Sequence, residues 1–171
     1  MKAEPNACID MFHEGCQHPG WQEVATGNVK LGTLGYARRG ADTAARRLGL
    51  APVIRLLFFE RGPAYRLQPD PLHYSPLDHL NLAPYDGQLM GKAGPTGLTP
   101  QPTLWLRASL PPAVALWVAC HESRHVWQDL TAFVGGLEEA EDDATTFAWA
   151  TVEGLLAPEA IRAIAAELDW G

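Results

Sequence analysis

His121 and His125 lie four residues apart, with Glu122 directly after the first, in the stretch ACHESRHVWQDL (119–130). On a helix, positions i and i+4 stand one above the other, so two imidazoles can converge on a single metal ion. Glu122 is turned about 100° round the helix axis, which sets it beside such an ion and not on it. From there its carboxylate can take a proton from a water molecule and later return it to a leaving group. Zinc suits this donor set, and it lowers the pKa of a water from about 15.7 to about 7. Two imidazoles do not complete a zinc site, which needs a third protein ligand and keeps one position open when it is catalytic. The ordinary alternative is a buried helix carrying two hydrogen-bonded histidines.

The third ligand is sought downstream, where EEAEDDATTFA (138–148) offers the carboxylates of Glu138, Glu139, Glu141, Asp142 and Asp143. In part this run is what a helix N-terminus favours, because carboxylates offset the positive end of the helix dipole. A third histidine six residues beyond the motif is absent, since position 131 is Thr. Two spacings remain open. Glu138 with Asp142 gives E-x-x-x-D, and Glu141 heads a second pattern, with Ala144 and Ala148 on its side of the helix. That second pattern resembles the CAAX-type endopeptidases and the anti-repressor peptidases of phages and mobile elements. Their second helix reads like E-x-x-A-(D/N)-x-F-A, and Glu141, Ala144, Phe147 and Ala148 match it. The resemblance spans roughly residues 38–60 and 103–150 and implies a zinc site of His121, His125 and Glu141. Glu138 is the alternative ligand, in the register of thermolysin-like enzymes. Thr145 stands where the family has an Asp or Asn that supports a motif histidine, and a hydroxyl can do so only weakly.

The elements that must position these residues follow from patterning. YARRGADTAARRLGL (36–50) carries Ala37, Ala41, Ala44, Ala45 and Leu48 at helical spacing, with Gly49 as a stop. PVIRLLFFE (52–60) is short and β-prone, a buried strand. Residues 62–102 are rich in proline and glycine, with one or two short strands expected inside them, PAYRLQ as one candidate, and a loop acting as a cleft wall. TLWLRASL (103–110) alternates as a strand, and Pro111-Pro112 suits the first turn of the helix that follows. The motif helix covers 112–130, apolar on nearly every face as a buried helix should be. Gly135-Gly136 breaks the chain, a helix covers 137–156, and Pro158 opens a last short one. Glu141 comes only sixteen residues after His125, so the motif helix must stop soon after Gln128–Leu130.

A chain of 171 residues with 47% hydrophobic and 19% charged residues fits one globular domain over 1–171, with 1–36 as a loop-rich N-terminal extension. The net charge of −7 leaves no basic stripe for nucleic acid. The longest apolar run, PPAVALWVAC, is too short for a bilayer, and the N-terminal segment lacks the apolar core of a secretory signal. A soluble, cytoplasmic protein is expected. Cys120 reads as a small buried apolar residue, and the three cysteines form no disulfide framework. Cys8, His13, Cys16 and His18 are candidate ligands of a second metal, although four within eleven residues is tighter than usual zinc spacing. The triplet Glu14-Gly15-Cys16 echoes peptide deformylase, but the distance to His121 is far too long. His73, Tyr74, His79 and Tyr85 are the candidates to stabilise an oxyanion.

These readings combine into an α+β, zincin-like domain: a small mixed or antiparallel sheet, a buried motif helix and a following helix. The function expected is zinc-dependent hydrolysis of a peptide bond in a peptide or protein substrate. His121, His125 and Glu141 bind Zn2+, and Glu122 is the general base. In domains of this kind the strand before the motif helix lines the cleft, so TLWLRASL is expected to be an edge that pairs with substrate. Leu104 and Leu106 should then face the helix, with Trp105 and Arg107 turned outward or toward the 62–102 loop. A strand flanked on both sides could not add a peptide. That outcome would favour the second reading, a zincin-like sensor or interaction module that holds metal but cleaves little.

Overall fold

The computed structural model describes residues 21–50, 55–61, 91–93 and 103–168. In chain order these form β1 (Trp21–Val24), a 3-10 turn (Thr26–Asn28), α1 (Leu31–Leu48), β2 (Arg55–Arg61), β3 (Gly91–Ala93) and β4 (Thr103–Arg107). Three helices follow: α2 (Pro112–Leu130), α3 (Leu137–Glu153) and α4 (Pro158–Leu168). The strands make one mixed sheet in the order β1-β2-β4-β3. β1 and β3 run antiparallel to their neighbours, and β2 and β4 pair in parallel with Leu56 opposite Leu104 and Phe58 opposite Leu106. The class is therefore α+β. Among the described residues, no helix is long and apolar enough to cross a membrane.

α2 is the axis of the core. Val114 to Cys120 are all buried, as a helix apolar on every side requires. Leu56, Phe58, Leu104 and Leu106 of the sheet belong to the same core cluster, together with Ala37, Ala41, Ala44 and Ala45 of α1. Small residues let α1 lie close. A Cβ on Gly40 would stand 2.5 Å from the Leu116 carbonyl oxygen, so the two backbones touch there. The Cys120 thiol donates to the Gly40 carbonyl across this seam at 3.6 Å. It is fully buried, and burial pushes its pKa up to about 12, in keeping with an inert packing role.

Two expectations are corrected by the fold. α1 begins at Leu31, inside the segment read as a loop-rich extension, and β1 precedes it. Gly32 and Gly35 made that stretch look irregular, but tertiary contact overrides weak propensity. The buried Thr33 hydroxyl donates 2.7 Å to the Leu110 carbonyl and ties the helix start to the turn before α2. The second correction concerns β4, which is not an edge: β2 pairs along one side and β3 along the other. Trp105 is buried, so of its two expected directions the one to solvent is excluded, while the 62–102 loop lies outside the described residues apart from β3. Leu104 and Leu106 do join the helix-facing core. The strand expected at PAYRLQ lies outside the described residues.

The stop after the motif helix is a Schellman turn. Ala132 adopts φ 51, the Phe133 N–H reaches the Gln128 carbonyl at 2.9 Å, and the Ala132 N–H reaches that of Asp129 at 3.5 Å. α1 ends in the same motif with Gly49 in the left-handed position at φ 65. The turn after α2 reverses the chain within a few residues, which brings α3 back alongside.

Candidate metal centre

His121 and Glu122 are buried near the C-terminal half of α2, and His125 is half-buried one turn further on. α3 returns antiparallel and lays Glu141 across the two rings. The Glu141 carboxylate is 3.1 Å from His121 Nε2 through Oε2 and 3.1 Å from His125 Nε2 through Oε1. The two Nε2 atoms are 3.0 Å apart. Three donor groups thus meet at one point, each offering an atom to the same space. Ligand atoms bonded to zinc at about 2.0–2.1 Å in a tetrahedron lie about 3.3 Å from one another. The observed spacing is close to that, and two imidazole nitrogens aimed at each other beside a carboxylate are the donor set that zinc takes. The Glu141 side chain is half exposed, so the cluster opens to solvent on that side.

Each of these side chains is held by its surroundings. Trp117, one turn before His121, stacks on its ring with centroids 5.0 Å apart and planes 23° apart, and Trp149 of α3 packs on Trp117 at 5.6 Å. Among the described residues, His121 Nδ1 and Trp117 Nε1 are buried without a hydrogen-bond partner. His125 differs, because its Nδ1 is 2.8 Å from the side-chain oxygen of Gln128. Asp143 receives Arg124 through Nε at 2.7 Å and Nη2 at 3.0 Å, while the guanidinium lies 3.8 Å over the Trp127 ring. The bidentate pair holds the Asp143 carboxyl below the usual carboxylate range.

Charge in the cluster is strongly coupled. Burial disfavours the imidazolium of His125, but its bond to Glu141, the fields of Glu122 and Glu141, and the Gln128 contact together raise its pKa to about 9. Burial also works against the Glu141 carboxylate, yet the two histidine bonds hold its pKa well below the ordinary range. Glu122 behaves oppositely. Its desolvation outweighs the attraction of His121 and His125, so its carboxyl holds a proton more readily than usual. The Ala93 backbone N–H of β3 hydrogen-bonds that carboxyl. Gly91 lets β3 come close: a Cβ there would meet Val118 Cγ1 at 2.6 Å and Glu122 Cγ at 3.2 Å.

The structure brings together His121, Glu122, His125 and Glu141 from the sequence candidates. Glu138 does not join them; it is exposed in the first turn of α3, outside the cluster. Thr145 makes no hydrogen bond to either histidine, and the support at His125 comes from Gln128. Cys8, His13, Cys16, His18, His73, Tyr74, His79 and Tyr85 lie outside the described residues. Sequence reasoning missed Gln128 and, although it allowed for one or two short strands within 62–102, the approach of β3 to Glu122. The first was discoverable, since Gln128 is three residues after His125 and shares its helix face. The second had a weaker signal in Gly91, a lone glycine of the kind that permits close backbone approach within a strand. In comparisons with family models, curated proteins and solved structures, nothing matches this chain.

Proposed function

We propose that the chain is a zincin-like, zinc-dependent peptidase of the glutamate-ligand type, with His121, His125 and Glu141 as ligands and Glu122 as general base. One observation carries this reading: the Nε2 atoms of both motif histidines and the Glu141 carboxylate lie 3.0–3.1 Å apart, with the buried Glu122 next to His121 on α2. When bound, zinc supplies a Lewis acid and lowers the pKa of a water to about 7. The chain's own residues do the rest. Glu122 sits in a desolvated pocket that raises its proton affinity, which suits a base that must hold a proton and then release it to a leaving amine. The Ala93 N–H holds that carboxyl in one orientation. Glu141 is the most exposed of the ligands, so substrate approaches from its side.

The central place of β4 removes the strand expected to dock substrate, and the role passes to β3, the edge of the described sheet next to β4. In an antiparallel strand the N–H and C=O of one residue point the same way, so the Ala93 carbonyl shares the side of the N–H that reaches Glu122. An extended peptide would pair along that edge. Only three residues form β3. This short edge, with β4 flanked on both sides, favours the second reading: a module that holds metal for sensing or protein interaction and cleaves weakly.

Glu122→Gln separates the two. Wild-type protein should carry about one zinc per chain by metal analysis and should cleave an unfolded protein substrate. Glu122→Gln should keep the zinc and lose the cleavage. Zinc without cleavage in the wild type would hand the case to the second reading, and a wild type without zinc would end both.

A further inference from the structure

Gln128 is buried, and its amide is engaged on both sides. Its nitrogen donates 2.8 Å to the Ala140 carbonyl and 2.8 Å to Asp143 Oδ2, and its oxygen faces His125 Nδ1 at 2.8 Å. The orientation of the amide follows from these neighbours. A backbone carbonyl can only accept, and so can a carboxylate gripped by a guanidinium, so both amide protons are committed to α3. Only the oxygen is left for His125. An amide oxygen accepts, which places the proton of the neutral imidazole on Nδ1 and leaves the Nε2 lone pair directed at Glu141 and His121. The other end of the amide grips Ala140, the residue immediately before Glu141. α3 has no side-chain cap at its N-terminus, so this grip is a principal tie between its first turns and α2.

We propose that Gln128 is a positioning residue that couples the two halves of the ligand set. Its oxygen selects the metal-competent tautomer of His125, and its nitrogen sets the height and rotation of α3, and hence of Glu141. The Arg124–Asp143 pair is the clamp that keeps the amide from turning over. The inference rests on the zinc-site reading above and adds an assembly rule: one side chain on the motif helix makes the histidine and the glutamate arrive together.

The test is a competition titration of full-length protein with zinc against a chromophoric chelator, using wild type, Gln128→Leu, Glu141→Ala and the double variant. Gln128→Leu should weaken zinc binding about 10- to 100-fold, the usual cost of losing a group that orients a metal ligand. In the Glu141→Ala background the same change should cost several-fold less, because the part acting through α3 has already gone. Cobalt substitution gives a second readout, since loss of Glu141 from the ligand set should alter the visible bands of Gln128→Leu toward those of Glu141→Ala. If Gln128→Leu fails to fold, Asp143→Asn, which loosens the amide without opening a cavity, should lower zinc affinity several-fold. An equal loss in both backgrounds, or a loss below about two-fold in Gln128→Leu or its substitute, would overturn the proposal while leaving the zinc site standing. A wild type that takes up no zinc would overturn both.

Discussion

At the scale of single residues, the choice between Glu138 and Glu141 turns on a difference of three positions. Three residues is almost one helical turn, so sequence periodicity places both on neighbouring faces of α3. The docking of α3 decides between them, because only Glu141 reaches the rings, at 3.1 Å from each Nε2. Glu141→Ala should therefore weaken zinc binding by two orders of magnitude or more, whereas Glu138→Ala should change it by less than about two-fold, as for an exposed surface charge. Equilibrium zinc titration of the two variants checks this. The reverse order would return the site to the E-x-x-x-D register. Thr145 teaches the complementary lesson. A pattern match implied support from α3, but the partner of His125 lies on α2 itself, at Gln128.

At the scale of elements, the sheet edge is what changed most. A proline placed in β4 would remove a ladder hydrogen bond to β2 or to β3 and destabilise the sheet, so it reports nothing about docking. The informative position is Ala93. Its N–H points at Glu122 and takes no part in the site's ligand set, and edge strands tolerate proline where the N–H faces away from the ladder. Ala93→Pro should leave zinc content unchanged and lower turnover roughly 10- to 150-fold, since a hydrogen bond to a charged group is worth roughly 1.5–3 kcal/mol. Turnover equal to wild type would remove β3 from the proposed cleft. The close contact of α1 with α2 at Gly40 serves the site indirectly, by fixing the helix that carries three of its four residues.

At the scale of the whole molecule, the proposed ligands bridge two helices joined by a tight turn, so metal binding and folding should be linked. Zinc at 100 times its Kd adds about 2.7 kcal/mol, which for a domain of this size means a rise in Tm of roughly 5–11 °C. Removal by a chelator should reverse it in a thermal melt. The effect should depend on pH through His125, whose pKa rises from 6.5 to about 9 in the metal-free fold. Because the folded value is the higher one, protonation contributes stability that is full below pH 6.5 and lost as pH rises through about 9. Zinc needs the neutral ring, so its affinity should climb by up to tenfold per pH unit toward pH 9, and the Tm gain should widen with it. A zinc affinity flat between pH 7 and 9 would show that no proton is displaced.

Local patterning carried a large share of the outcome. The i, i+4 histidines, the buried helix of 112–130, its stop before Gly135-Gly136 and the β-prone stretches at 52–60 and 103–110, which the structure forms as 55–61 and 103–107, were readable, because each depends on neighbours within a few residues. The Glu141 pattern was also present in the chain, although only the packing of α3 on α2 distinguishes it from Glu138. What the tertiary structure alone decided is which strands neighbour which, that β4 is flanked and β3 is the edge of the described sheet, that Gln128 bridges the histidine to α3, and that Ala93 reaches Glu122. Those are contacts between segments far apart in sequence or on separate elements. Hydrophobic alternation says which face of a strand is buried but nothing about which strand lies beside it, so strand order and the ties between elements come only from the packed molecule.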